Sequence, residues 1–217
     1  MPKPDNHQIA ALRKNYQLMG LDENKIKNNP VDQFTIWFDE AISADVIEPN
    51  AMILSTVSQA GSPSSRTVLL KGLEEDGFIF FTNYESEKGK EIAQNNNVSL
   101  LFLWLDLERQ VRISGKAIKL STEESEVYFK SRPRNSQIGA WASKQSEVVP
   151  DRQYLEDRFK TMRVKFEDQE IPLPDFWGGY KVIPSRIEFW QGRPNRLHDR
   201  ILYSKNENEW KIERLSP

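Results

Sequence analysis

The sequence predicts an antiparallel β-barrel with helical decoration, an α+β architecture. Three observations carry this expectation. First, β-rich runs follow one another through turn residues. Ala51–Ser58, Ser64–Leu73 and Phe78–Asn83 are punctuated by Gln59-Ala60-Gly61-Ser62-Pro63 and by Glu74-Glu75-Asp76-Gly77. Second, helical patterns lie between and around the strands, which argues against a parallel βαβ sheet. Third, no Gly-x-Gly-x-x-Gly follows a strand and no P-loop signature occurs, which disfavours the glycine-loop nucleotide folds.

The elements follow in order. Gln8–Met19 sets Ile9, Leu12 and Tyr16 at helical spacing, with Gly20 as a stop. Asn24–Pro30 is polar and reads as a linker. From Asp32, the residues Phe34, Trp37, Phe38, Ala41 and Ile42 form an apolar stripe on a second helix. After the first three strands, Ser86–Gln94 is a short polar helix, and Val98–Leu105 and Gln110–Leu120 are two more strands. Ser121-x-x-Glu124 resembles a capping box opening a helix that Pro133 should end near Arg132. Asp151–Glu167 is an amphipathic helix, and Gly179–Phe189 and Leu197–Glu213 read as strands. We take residues 1–217 as a single domain, with 1–30 an N-terminal helix and linker.

Composition removes whole classes of chemistry. With no cysteine there is no disulfide, thiol nucleophile, iron–sulfur cluster or cysteine zinc site. The two histidines, His7 and His198, are far apart in sequence, so no metal is expected. The net charge of −2 gives no global field for nucleic acid. The longest apolar run, Leu100–Leu105, is too short to span a bilayer, and Met1-Pro2-Lys3-Pro4-Asp5 lacks the apolar core of a signal peptide; a cytoplasmic location is the default expectation. No Gly-x-Ser-x-Gly elbow is present.

Four groupings could bind or act on a ligand. Arg66 and Lys71 flank an apolar run at odd separation, so they face opposite ways on a regular strand, or one lies past its end. The bland alternative is a surface arginine and a snorkelling lysine. Tyr128, Arg132 and Ser136 follow at i, i+4 and i+8. A phenol, a guanidinium fork and a hydroxyl suit a phosphate, although a solvated helix face has the same pattern. On a strand, Arg196, His198 and Arg200 would share one face, a costly row of charge without an anion and a common one on a solvated edge. Six tryptophans are generous for this length, and Trp141, Trp177 and Trp190 all sit near glycine.

At these residues the chain resembles a known family. Arg66–Lys71, the run Ser131-Arg132-Pro133-Arg134-Asn135-Ser136-Gln137-Ile138-Gly139-Ala140-Trp141, Ser143-Lys144-Gln145-Ser146 and Phe176-Trp177-Gly178-Gly179 closely resemble the pyridoxamine 5′-phosphate oxidases. So do Glu188-Phe189-Trp190-Gln191-Gly192, Arg196-Leu197-His198-Asp199-Arg200 and the ending Trp210–Pro217.

The resemblance implies an FMN-binding split β-barrel, a homodimer with FMN at its interface. It implies oxidation of pyridoxine 5′-phosphate and pyridoxamine 5′-phosphate to pyridoxal 5′-phosphate, with dioxygen as acceptor and hydrogen peroxide as product. Residues matching Arg66, Lys88 and Arg200 hold the flavin, with those matching Val68, Leu69, Lys71, Phe81, Thr82, Gln110, Gln145, Ser146 and Trp190. Lys71, Tyr128, Arg132 and Ser136 match the positions that hold the substrate phosphate. Arg196 and His198 match the catalytic pair over the pyridine ring, and Arg13 and Tyr16 match a segment that closes over the site. One departure stands out: the family commonly has Arg-Lys where this chain has Glu87-Lys88. An acid cannot donate to a flavin phosphate, so either Glu87 points away or FMN binds more weakly here. Competing readings are another split-barrel flavoprotein such as a flavin reductase, which would lack the Tyr128–Arg132–Ser136 clamp, and a pyridoxal-phosphate carrier without turnover.

Overall fold

The computed structural model describes residues 10–12, 15–18, 20–207 and 209–217. They fold as two compact units. One comprises the N-terminal segment to Pro49, Leu103–Val111 and Ile187–Pro217; the other comprises Asn50–Phe102 and Arg112–Arg186. The strand order is β2-β1-β5-β6-β7-β4-β3, with β8 pairing with β7 and β9. The strands are β1 (Ala51–Val57), β2 (Pro63–Leu69), β3 (Gly72–Glu74), β4 (Gly77–Asn83), β5 (Asn97–Trp104), β6 (Arg109–Lys119), β7 (Trp177–Gln191), β8 (Asp199–Asn206) and β9 (Glu209–Arg214). The pairings β1–β2, β1–β5, β3–β4, β4–β7 and β8–β9 are all antiparallel, as expected.

In the larger unit, β1 alternates half-buried and buried residues, so Met52, Leu54 and Thr56 face the core. Phe78 and Phe80 on β4 and Leu100 and Phe102 on β5 are fully buried. The run expected as one strand over Ser64–Leu73 is two. After Leu69 the chain changes partner: the Leu70 N–H donates to Asn50 O, and the Lys71 N–H donates to Ile79 O. Ser121 and Glu124 form the expected capping box, which opens α3 (Thr122–Ser131). Arg132, with ψ 148°, ends it before Pro133, and α4 (Arg134–Ala142) starts afresh. Phe129, Ile138, Phe166, Ile171 and Trp177 make a second apolar cluster beneath these helices. α5 (Arg152–Lys165) is capped by Asp151 and has no buried residue, so its apolar stripe is less shielded than an amphipathic pattern implies.

In the smaller unit, Asn29 caps α1 (Pro30–Ser43), and Pro30 sits in its first turn, where a missing N–H costs nothing. Phe34, Trp37 and Ala41 of the expected stripe face inward, with Trp37 edge-on to Phe189 at 5.1 Å, whereas Phe38 is half-buried and Ile42 is exposed. The helix expected over 8–19 is not seen at residues 15–18, whereas Ala10 and Ala11 are helical. Ile9 and Arg13 lie outside the described residues. A further correction concerns Arg196, His198 and Arg200. Pro194–Arg196 is a 3-10 turn with left-handed backbone at Asn195 and Arg196 (φ 58° and 61°), and β8 begins only at Asp199. The three side chains therefore do not share one strand face.

Candidate active site

The larger unit carries a cavity of about 630 Å³. Strand β2 supplies Arg66, Val68 and Leu69, and Lys71 lies just past its end, so both cations line one cavity without sharing a face. β4 supplies Phe81 and Thr82. Thr82 Oγ1 donates to Gln145 Oε1 (3.2 Å), and Gln145 and Ser146 line the cavity from the loop after α4. Ser146 has φ 75°, a left-handed conformation costing about 1–3 kcal/mol for a non-glycine residue.

Two cations and two acids meet at one part of this cavity's wall. Arg66 lies 3.3 Å from the Glu91 carboxylate and also donates to Thr56 Oγ1 and Ser64 Oγ. Burial alone would raise the Glu91 carboxyl. Hydrogen bonds from Thr56 and Ser64 and the charge of Arg66 outweigh it and hold the group below its usual value. Lys88 stands in the first turn of α2 (Glu87–Gln94) and is buried; its Nζ donates to Ser86 Oγ (3.2 Å). Burial first, and the Arg66 charge second, push the Lys88 ammonium below the ordinary lysine value. A Cβ at Gly89 would lie 2.2 Å from Tyr84 O, so only glycine lets α2 sit flush against that carbonyl. Glu87 is exposed and lines the cavity, so it does not point away from it.

The same cavity also holds the phenol and guanidinium of the expected clamp. The Tyr128 ring stacks on Phe81 (centroids 3.8 Å apart) and lies parallel to Trp177. The Arg132 guanidinium lies 4.6 Å over the Trp177 ring. Its Nη1 is buried and has no hydrogen-bond partner among the described residues. A buried guanidinium nitrogen is costly unless something accepts from it. Ser136, on α4, joins Arg132 and Gln145 in a smaller adjoining cavity of about 310 Å³. From the sequence, Trp177 was named among the tryptophans near glycine without a role, and Glu91 was not singled out. The glycines after Trp177 were a signal for the first; the Lys88–Glu91 spacing of three on a polar helix was a weak signal for the second.

The smaller unit has its own cavity of about 710 Å³, lined by Tyr16, Trp190, Arg193, Arg196 and His198 among others. Tyr16 stands edge-on to Trp190 and to His198, both at 5.6 Å, and Trp190 lies 4.6 Å from His198. The backbone N–H of Arg193 donates to His198 Nδ1 (3.1 Å). A backbone amide can only donate, so neutral His198 carries its proton on Nε2. Burial first, and Arg196 second, push its pKa below the usual imidazole value, with Asp199 opposing. Arg200 donates to Glu188 Oε1 (2.8 Å) and to Ser216 O, and lines neither cavity. Gln110 is half-buried on β6 and also lines neither.

Among the described residues no cluster of His, Asp and Glu could hold a metal ion, and no helix is long and apolar enough to cross a membrane.

The sheet and its cationic, aromatic-walled cavity define a flavin-binding split barrel. Residues 38–166 match the family model described as pyridoxamine 5′-phosphate oxidase, and residues 177–217 match that of the pyridoxine 5′-phosphate oxidase C-terminal dimerisation region. The chain belongs to the pyridoxine/pyridoxamine 5′-phosphate oxidase family. It is 57% identical over 210 residues to the pyridoxine/pyridoxamine 5′-phosphate oxidase of Rippkaea orientalis, covering 96% of this chain and 99% of that one. It is 51% identical over 214 residues to that of Acaryochloris marina, covering 99% and 98%. The fold is similar to PhzG from Burkholderia lata in complex with tetrahydrophenazine-1-carboxylic acid, with TM-score 0.88, 28% identity, and coverage of 94% and 100%. A pyridoxamine 5′-phosphate oxidase-related, FMN-binding protein from Nostoc punctiforme shares the fold at TM-score 0.68 and 17% identity, with coverage of 85% and 96%.

Proposed function

We propose that this protein oxidises pyridoxine 5′-phosphate and pyridoxamine 5′-phosphate to pyridoxal 5′-phosphate, using FMN and dioxygen. The observation that carries the reading is a single cavity with two cationic stations. One is Arg66 with buried Lys88; the other is Lys71 with Arg132, whose buried Nη1 lacks an acceptor. Two phosphate monoesters, one on the cofactor and one on the substrate, account for both. Fold alone would not, because the Burkholderia lata structure has the same fold with a phenazine acid bound.

The residues present fit FMN. Arg66 and Lys88 would take its phosphate. Val68, Leu69, Phe81, Thr82, Gln145 and Ser146 offer apolar wall and hydrogen-bonding groups to the ring system. When bound, FMN supplies the two-electron redox chemistry, accepting a hydride from substrate carbon and passing the electrons to dioxygen as hydrogen peroxide. Arg132, Tyr128, Ser136 and Lys71 hold the substrate phosphate. The clamp fixes the ring's distance from the cavity wall and so the carbon that reacts.

In this reading the homodimer brings His198 and Arg196 of one copy to the pyridine ring whose phosphate the other copy's clamp holds. His198 donates from Nε2, because Nδ1 is engaged by the Arg193 amide. Arg196 is exposed and fixed by a left-handed backbone; a guanidinium hardly deprotonates, so it positions and stabilises charge and is not a base. The alcohol passes its hydroxyl proton to solvent as the hydride leaves, giving the aldehyde directly. The amine gives an imine that water converts to the aldehyde and ammonia. The reading also takes the protein as a homodimer. The match of residues 177–217 to a dimerisation region supports this, and that region carries Trp190, Arg196, His198 and Arg200. On this reading Gln110, Trp190 and Arg200 reach the flavin site from the second copy of the homodimer.

The test is oxidation under air. Purified protein should carry one non-covalent FMN per chain and release peroxide in step with loss of pyridoxine 5′-phosphate. FAD in place of FMN, or no turnover after reconstitution with FMN, overturns the reading. Light scattering should give twice the chain mass of 25.3 kDa.

A further inference from the structure

The segment carrying Tyr16 has little to hold it by composition, yet Tyr16 packs against two rings of the smaller unit's cavity. What fixes it is a carboxylate. Glu108 Oε2 accepts from two consecutive backbone N–H groups, Gln17 at 3.0 Å and Leu18 at 3.1 Å. Glu108 is itself buried, at 5% exposure, and has a left-handed backbone, φ 55°, after the 3-10 turn Leu105–Leu107. Its carbonyl accepts from Gly192 N (2.7 Å) and Gln191 Nε2 (3.2 Å), which tie it to the end of β7. A buried carboxylate is costly unless hydrogen-bonded, and two adjacent amides provide what it needs.

A second observation points the same way from another element. The Tyr16 ring lies where a side chain on Gly192 would be: a Cβ there would stand 2.7 Å from Tyr16 Cγ and 2.9 Å from its Cβ. The side-chain-free backbone of Gly192 is thus the seat of the ring, and Glu108 is its clasp.

We propose that Glu108 is a positioning residue for substrate: its carboxylate holds residues 15–18 so that Tyr16 closes one side of the cavity holding Trp190 and His198. The proposal rests on the reading that this cavity receives the substrate ring. It assigns Glu108 an effect on substrate retention and none on the redox step, since Glu108 does not line the cavity.

The experiment uses FMN-loaded enzyme with Glu108→Ala, Glu108→Gln and Gly192→Ala. Amide exchange at Gln17 and Leu18 is read alongside KM, kcat and flavin content. Glu108→Ala should speed exchange at both amides and raise KM for pyridoxine 5′-phosphate about tenfold, the scale of one charge-assisted hydrogen bond. Its kcat and flavin content should stay near wild type. Glu108→Gln keeps an acceptor oxygen and should restore most of both effects. Gly192→Ala unseats the ring with Glu108 intact and should reproduce the KM rise. Faster exchange with unchanged KM, raised KM with unchanged exchange, or a fall in kcat and flavin content alone would each overturn the proposal. Wild-type protein that fails to turn over the substrate sinks the functional reading instead. In that case exchange in Glu108→Ala still decides whether Glu108 holds the segment.

Discussion

Glu91 holds Arg66 in place: its carboxylate lies 3.3 Å from the guanidinium and accepts from Ser64 Oγ at 3.0 Å, while Thr56 completes the network. Register makes this possible, since Leu54 pairs with Arg66 and Thr56 with Ser64 across β1 and β2. The acid therefore aims a cation into the cavity, and at the same time offsets part of the charge that Lys88 adds.

Glu91→Ala should weaken FMN and the fold together. It strands one half-buried cation and two hydroxyls, and breaking such a network costs about 1–3 kcal/mol. FMN affinity, measured by quenching of flavin fluorescence, should fall at least tenfold, and the apoprotein should melt earlier. Unchanged FMN affinity in a destabilised protein would show that Arg66 needs no aiming.

Arg132→Ala should lower kcat/KM for pyridoxine 5′-phosphate by about ten- to a hundredfold, the value of a hydrogen bond to a charged group. Unphosphorylated pyridoxine never makes the contact, so its turnover should change little, and flavin content should stay at the wild-type level. Equal losses on both substrates would show that Arg132 does not read the phosphate.

Glu87→Arg should tighten FMN, because it removes an exposed negative charge from the wall that meets a dianion. The gain should be under about fivefold, since exposed charges are strongly screened. Titration of apoprotein with FMN measures it; a large loss of affinity would mean that Glu87 supports the loop in its own right.

His198 should titrate below 6.5, its ordinary value, because burial and Arg196 disfavour the imidazolium. The sign for stability follows. Between the unfolded value and the lowered folded value, the unfolded chain binds the extra proton, so this contribution is full above about pH 6.5 and is lost as pH falls through that window. With two histidines in the chain, imidazole resonances can be assigned by comparison with a His7→Gln variant. They should show the proton on Nε2; a midpoint above 6.5, or a proton on Nδ1, would refute the assignment.

Much of this was legible in the sequence, for local reasons. Hairpin turns, the Ser121–Glu124 capping box and the break at Pro133 are written in residues within a few positions of the feature. Arg66, Lys71, Tyr128 and Arg132, which line the cavity, were site candidates through the family resemblance, because their local pattern fits solvated side chains equally well. The change of partner after Leu69 was not legible, because it depends on Asn50 and Ile79 at a distance in the chain. Nor was the turn at Asn195–Arg196: alternating charged residues read as a strand, and nothing local announces two successive left-handed residues. Trp177 and Glu91 gain their meaning only when other elements are packed against them.

The contact between Gly89 and the Tyr84 carbonyl has a consequence for how such a site can drift over evolutionary time. Any side chain at 89 would push α2 away from the turn and carry Lys88 with it, so the lysine's placement offers no gradual path of adjustment. Two residues earlier the constraint vanishes, because Glu87 is exposed in the helix's first turn. On the proposed reading, the charge at 87 can thus be exchanged to tune cofactor retention while the backbone that presents Lys88 stays fixed.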